Sequence, residues 1–130
     1  MIISLLIYAS KSASQSEQTA LRFAKSAVKQ GHSIHRVFFY GDSVNSISNL
    51  RVTPRDEINL ASQWTEFANK HTIDLVVCIA AAVKRGVLDE NEAKRHNKAA
   101  ANLMPGFQLS GLGQLADAQI QSDRLITFGN

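Results

Sequence analysis

Short apolar runs that alternate with helix-forming segments constrain the fold of this 130-residue chain more than any other feature. The first run, IISLLIY (Ile2–Tyr8), is almost continuously apolar, which is typical of a parallel strand covered on both faces. Four further segments have strand character: 33–41, 74–80, 107–111 and 123–129. Strands that alternate with helices predict an α/β fold, here one three-layer α/β/α domain over residues 1–130 with a mostly parallel, five-stranded sheet.

The segments between these strands carry helical signals. Ser14 and Glu17 have the S-x-x-E spacing of a capping box, and Asp89 is placed to cap a later polar helix. Trp64 lies on an apolar helical stripe and is expected in the core. The predicted helices span residues 12–31, 57–71, 88–100 and 112–121. Residues 42–56 are predicted as a polar loop that can include one helical turn.

Composition restricts the functional classes. The formal net charge of +3 is a weak and scattered basic excess, so direct binding of tRNA or other nucleic acid is not expected. The apolar N-terminal run is too short to span a membrane, and a single cysteine forms no internal disulfide, which favours the reducing cytoplasm. The four histidines form no H-E-x-x-H motif and none pairs with a C-x-x-C motif, so a zinc site is not expected.

The one cysteine, Cys78, lies near the end of the third predicted strand. Ligands of parallel α/β sheets bind outside the carboxyl ends of strands, which makes this thiol a candidate catalytic residue. The alternative is an inert core thiol, because free cysteine is among the most buried residue types. Lys84 and Arg85 follow closely and are candidates either to favour the thiolate or to contact acidic groups of a partner.

Two further motifs leave alternatives open. GLGQLA (Gly111–Ala116) matches G-x-G-x-x-A, but no onward βαβ unit follows it, so a tight strand-to-helix turn is the better interpretation. The loop Tyr8–Ser16 is rich in serine, and its Ser12–Ser16 part could cradle the phosphate of a flavin or nucleotide. Helix capping within a solvated loop is the other interpretation of this segment.

Four segments, VFFYGDSV, CIAAAVKRGVLDENEA, GFQLSGLGQLADA and SDRLITF, together resemble the DsrE/TusD family of sulfur-relay proteins. The resemblance runs from the first strand to the last. It implies a DsrE-like parallel α/β/α fold and a sulfurtransferase that needs no metal, flavin or nucleotide. It also implies that Cys78 accepts a sulfur atom from an upstream carrier, holds it as a persulfide and passes it on.

The same resemblance implies partners. Its TusD branch works in a heterohexamer with TusB-like and TusC-like subunits, between a TusA-like donor and a TusE-like acceptor, and the sulfur ends in the 2-thio group of a tRNA wobble uridine. The related DsrE branch serves dissimilatory sulfur oxidation instead. The similarity looks closer to the TusD branch, which favours the tRNA role, and the DsrE branch stays the alternative.

Overall fold

Five parallel strands form one sheet in the part of the chain that the computed structural model describes, residues 1–9 and 15–130. In chain order they are β1 Ile2–Ile7, β2 Ser33–Phe39, β3 Asp74–Cys78, β4 Gln108–Ser110 and β5 Arg124–Phe128. Their order across the sheet is β4-β3-β2-β1-β5. The predicted α/β class with a parallel sheet is therefore confirmed.

Helices connect the strands and cover the sheet. They are α1 Ser16–Lys29, a 3₁₀ helix at Gly41–Ile47, α2 Leu60–His71, α3 Ile79–Lys84, α4 Glu90–Arg95 and α5 Gly113–Gln121. None of these described helices combines the length and the apolar character needed to cross a bilayer.

The two faces of the sheet are identified by side chains of β2. Phe39 contacts Trp64 of α2, whereas Arg36 donates to the carbonyl oxygen of Gln114 and pairs with Asp117, both on α5. Residues three apart on a strand point to opposite faces, so α2 and α5 lie on opposite faces of the sheet. A three-layer arrangement follows from this alternation.

The core lies around the three central strands. Leu5, Val37 and Val77 are fully buried, as expected for parallel strands covered on both faces. Trp64 is also fully buried, and its ring meets Phe39 edge-on at a centroid distance of 5.9 Å. The predicted core position of Trp64 is confirmed.

The start of α1 differs from the prediction. The helix begins at Ser16, with Gln15 as an N-cap residue that makes no side-chain capping hydrogen bond. Glu17 is buried and accepts a hydrogen bond of 2.6 Å from the Ser46 hydroxyl of the 3₁₀ helix. Ser14 lies outside the described residues, so the capping box predicted from Ser14 and Glu17 stays a prediction.

A capping hydrogen bond from the backbone to a side chain marks the start of two other helices. The predicted helix 57–71 begins only at Leu60, because the Asn59 side chain accepts the Ser62 N–H at 3.2 Å. The predicted cap at Asp89 is confirmed by its hydrogen bond from the Glu92 N–H at 2.8 Å. The helical turn allowed within the predicted polar loop 42–56 lies in its first residues, which form most of the 3₁₀ helix.

Trp64→Ala is expected to lower the free energy of unfolding by about 3–5 kcal/mol, because it leaves a large cavity in a close-packed core. Leu50→Ala is the control, since Leu50 is 76% exposed, and should change it by less than about 0.5 kcal/mol. Urea unfolding followed by circular dichroism measures both. Equal effects of the two substitutions would contradict this account of the core.

Candidate functional site

Cys78 stands at a direct strand-to-helix junction. It is the last residue of β3 and also the N-cap residue of α3, so the predicted strand 74–80 is two residues too long. The β-branched Val76 and Val77 favour a strand, whereas the alanines 80–82 favour a helix. Cys78 therefore lies at the start of a short helix, although its side chain makes no capping hydrogen bond.

The thiol lines a cleft of about 480 Å³, called the thiol cleft below. Its walls come from residues after the carboxyl ends of three neighbouring strands. They include Tyr40 and Gly41 after β2, Lys84 and Arg85 on and after α3, and Gly111 and Leu112 after β4. The position agrees with the general rule that parallel sheets bind ligands outside these strand ends.

The thiol cleft has an exposed apolar rim and a buried thiol. Tyr40 and Leu112 are 42% and 53% exposed, whereas Cys78 is only 2% exposed. A reaction partner must therefore enter the thiol cleft or displace its rim to reach the sulfur. Exposed aromatic and aliphatic side chains around a recessed group are suited to contact with another protein.

Gly41 has a structural reason to be glycine. Its φ is +57°, and a Cβ built on it would meet the Tyr8 carbonyl oxygen at 3.4 Å. A side chain here would be strained and would press on the end of β1. Glycine thus permits the tight turn that brings Tyr40 to the thiol cleft.

Arg85 is held in place by Asp42. Its Nε and Nη2 atoms lie 3.1 Å and 3.0 Å from the Asp42 Oδ1 atom, and its Nη1 donates to the Ala81 carbonyl oxygen. Because the Asp42 side chain is 61% exposed, this ion pair contributes only about 0–1 kcal/mol. A carboxylate on a partner can compete for Arg85 at low cost.

Lys84 lines the same cleft and is exposed to solvent. Within residues 1–9 and 15–130, it forms no ion pair. The structure therefore brings both predicted cations to the walls around Cys78. Which of the two predicted roles they have, favouring the thiolate or contacting a partner, stays a prediction.

The sequence reasoning missed Tyr40, Asp42 and Leu112. A signal for the first two was present, because YGD directly follows the second strand and strand ends meet at one edge of a parallel sheet. Leu112 lies between the two glycines of G-x-G-x-x-A, the segment that forms the turn from β4 into α5. That turn supplies a wall of the thiol cleft.

The remaining candidates lie elsewhere. His71 ends α2, at the opposite end of β3 from Cys78, and His96 contacts Glu92 at 3.2 Å. No group of three His, Cys, Asp or Glu residues suited to a metal ion occurs among the described residues. Most of the serine-rich loop, residues 10–14, lies outside the described part, so its flavin or nucleotide interpretation stays a prediction.

Residues 1–128 match the family model described as the DsrE/DsrF-like family. The chain belongs to this family. A DsrE protein of Allochromatium vinosum is 48% identical over 116 residues, which cover 89% of each chain. A sulfurtransferase TusD homologue of Aliivibrio fischeri is 41% identical over 128 residues, which cover 98% of each chain.

Solved structures support the same fold for this DsrE/DsrF-like chain. The YchN protein of E. coli superposes with a TM-score of 0.71 over 98% of this chain and 97% of its own, at 22% identity. The predicted DsrE-like fold is thus confirmed. The names of the sequence relatives confirm the expected enzyme class, a sulfurtransferase, and with it a role in sulfur relay.

Arg85→Ala is expected to slow the transfer of sulfur from a persulfide donor protein to Cys78, because its guanidinium group lines the thiol cleft and can pair with a carboxylate of the partner. Mass spectrometry of the folded protein at successive times after mixing with the donor measures the loading rate. Lys84→Ala is the matched control and should slow loading less, because its flexible ammonium group is not held in place by Asp42.

Folding should be little affected by the Arg85 substitution, since the lost ion pair is exposed. Equal loading rates of the wild type and Arg85→Ala would contradict a role of this side chain at the thiol cleft.

Proposed function

We propose that this chain carries sulfane sulfur on Cys78, as a persulfide, between an upstream donor protein and a downstream acceptor protein. The observation that carries the proposal is the position of the chain's one cysteine at the carboxyl end of β3, in a cleft open to a partner. Membership of a family whose members are named as sulfurtransferases supports it.

The chemistry needs one cysteine and no oxidant. The Cys78 thiolate attacks the outer sulfur of the donor's Cys–S–SH group, the donor's S–S bond breaks, and the donor cysteine leaves as a thiolate. Cys78 then bears the S–SH group. In the second step the acceptor's thiolate attacks that outer sulfur, and Cys78 is released as a thiolate. Each step conserves electrons and the persulfide proton.

A second cysteine would be a disadvantage for this carrier. A nearby thiol would attack the persulfide and close an internal disulfide, which ends the relay. This chain contains one cysteine, so that reaction is not available within it. The stored sulfur can leave only to an external thiol.

Persulfide formation also makes the reacting atom easier to reach. The inner sulfur belongs to a side chain that is 2% exposed. The outer sulfur lies about 2 Å from the inner sulfur, the length of an S–S bond. With the thiol cleft beside it, this atom is placed where a partner's cysteine can attack.

For the wider pathway we follow the TusD relatives. The sulfur passes from a TusA-like donor to a TusE-like acceptor and ends in the 2-thio group of a tRNA wobble uridine. The carrier works in the cytoplasm, in a heterohexamer with TusB-like and TusC-like subunits, without itself binding tRNA. The relatives named TusD, one of which matches over 98% of this chain, support this assignment.

A second candidate is the DsrE role, sulfur transfer in dissimilatory sulfur oxidation. The 48% identity to the DsrE protein of Allochromatium vinosum favours it specifically. The two roles share the Cys78 persulfide and differ in the acceptor. Loss of tRNA 2-thiouridine in cells that lack this chain would support the TusD role, and unchanged 2-thiouridine would support the DsrE role.

Cys78→Ser is expected to fold normally but to lose sulfur loading completely, because a hydroxyl group forms no persulfide. Intact-protein mass spectrometry after incubation with a persulfide donor should show one added sulfur atom on the wild type and none on the variant. Cys78→Ala is the control for folding, since a buried serine without a partner has a desolvation cost.

Sulfur loading that persists in both Cys78 variants would contradict the carrier proposal. Normal sulfur relay in a reconstituted complex that contains Cys78→Ser would likewise assign the chemistry to another subunit.

A further inference from the structure

A second concave surface lies between α1 and α2, away from the thiol cleft. It has a volume of about 480 Å³ and is called the α1–α2 groove below. On α1 it is lined by residues 25, 28 and 29, and on α2 by residues from 63 to 71. These are the C-terminal halves of both helices, which lie near the start of the strands, whereas Cys78 lies at a strand end.

The floor of the α1–α2 groove is apolar and pre-formed. Phe67 is 7% exposed, and its ring packs against the His71 ring at a centroid distance of 4.8 Å. Val28 is half-buried on the facing helix. The two helices are therefore far enough apart to leave a furrow with an apolar base, which is the shape that receives a third helix.

The rim of the α1–α2 groove is basic. Lys25, Lys29 and Lys70 line it together with one acidic residue, Glu66. In the described part of the chain none of these four side chains forms an ion pair, and Lys25 makes only a 3.5 Å hydrogen bond to the Gln63 side chain. The positive charge at this rim is therefore not neutralised within the described residues.

Helix stability explains only part of this charge. Lys29 and Lys70 lie in the last turns of α1 and α2, where cations interact favourably with the helix dipole. Lys25 lies a turn earlier and gains little from that effect. The helix dipole also gives no reason for the open α1–α2 groove with its aromatic floor.

We infer that the α1–α2 groove docks an acidic amphipathic helix of a different protein. Its carboxylates would pair with Lys25 and Lys70 on the two sides, and a large apolar side chain between them would rest on Phe67. The groove is therefore an attachment surface that leaves the thiol cleft free for sulfur donors and acceptors.

Two observations favour this occupant over others. Glu66 interrupts the lysines, which is unfavourable for a nucleic-acid backbone but compatible with a peptide of mixed polarity. A second copy of this chain is also disfavoured, because no described helix exposes two carboxylates beside a large apolar side chain. On α4, for example, Glu90 is exposed but Glu92 is buried.

The test uses a fluorescein-labelled, stapled helical peptide in which two glutamates flank a leucine on one face. Binding to the full chain is followed by fluorescence anisotropy, and amide chemical shifts of the labelled protein locate the site. A peptide with both glutamates replaced by glutamine is the ligand control and should bind at least about fivefold more weakly.

Variants of the protein test whether the peptide binds in the α1–α2 groove. K25E/K70E should weaken binding of the acidic peptide at least about fivefold, whereas K94E/K98E, which has the same change of charge at exposed lysines outside the groove, should leave it nearly unchanged. Glu66→Lys should strengthen binding, because it removes the one acidic group on the rim. If K25E/K70E does not fold, K25Q/K70Q and Glu66→Lys together give the same answer.

Equal weakening by K25E/K70E and K94E/K98E would overturn the inference, since binding would then follow net charge alone. Failure of the peptide to bind at low salt would also overturn it. So would displacement of the peptide by a single-stranded RNA oligonucleotide, or a K25E/K70E-sensitive dimer of the chain in sedimentation velocity. Sulfur loading of Cys78 should be unaffected by K25E/K70E, so this test is independent of the proposed function.

Discussion

The structure depends on one constraint, the burial of parallel strands on both faces. A parallel pair needs a crossover connection. Successive strands are therefore joined by helical segments that carry the chain back to the end of the sheet where the strands begin. All carboxyl ends of the strands consequently meet at one edge. In this chain that edge brings together the turn after β2, the start of α3 and the turn after β4, and these three segments form the walls around Cys78.

Much of this arrangement could be predicted from the sequence. The apolar run Ile2–Ile7 and the position of Cys78 at a strand end follow from patterns that depend only on local residues. The end of β3 was harder, because Val77, Cys78 and Ile79 are all apolar and nothing in the residue types marks where the strand stops. There the helix-forming alanines that follow decide the boundary.

Contacts between distant segments could not be predicted. The ion pair between Asp42 and Arg85 joins residues 43 positions apart, and the hydrogen bond between Ser46 and Glu17 spans 29. The spacing of Ser14 and Glu17 is a local signal and predicts a capping box, but it gives no indication that the Ser46 hydroxyl of another element donates to Glu17. Tertiary contacts of this kind replace local preferences, and a single sequence does not reveal them.

The buried position of Cys78 has a chemical consequence for the proposed function. A persulfide is reactive toward any thiol, so a carrier must restrict access to its stored sulfur. A thiol can reach this recessed sulfur only by entering the thiol cleft, and the exposed apolar rim offers contacts to a protein segment that carries such a thiol. The α1–α2 groove, at the other end of the strands, provides a separate surface for attachment. Assembly and transfer can then occur at the same time.

The central claim is that every sulfur atom transferred from donor to acceptor is bound to Cys78 as an intermediate. A single-turnover experiment with a donor protein that carries radiolabelled sulfane sulfur tests it most directly, with peptide mapping of this chain at successive times after the acceptor is added. The account predicts that label first accumulates on the peptide that contains Cys78 and then leaves it at the rate at which the acceptor gains label. Label that reaches the acceptor at full rate without passing through that peptide would contradict the account.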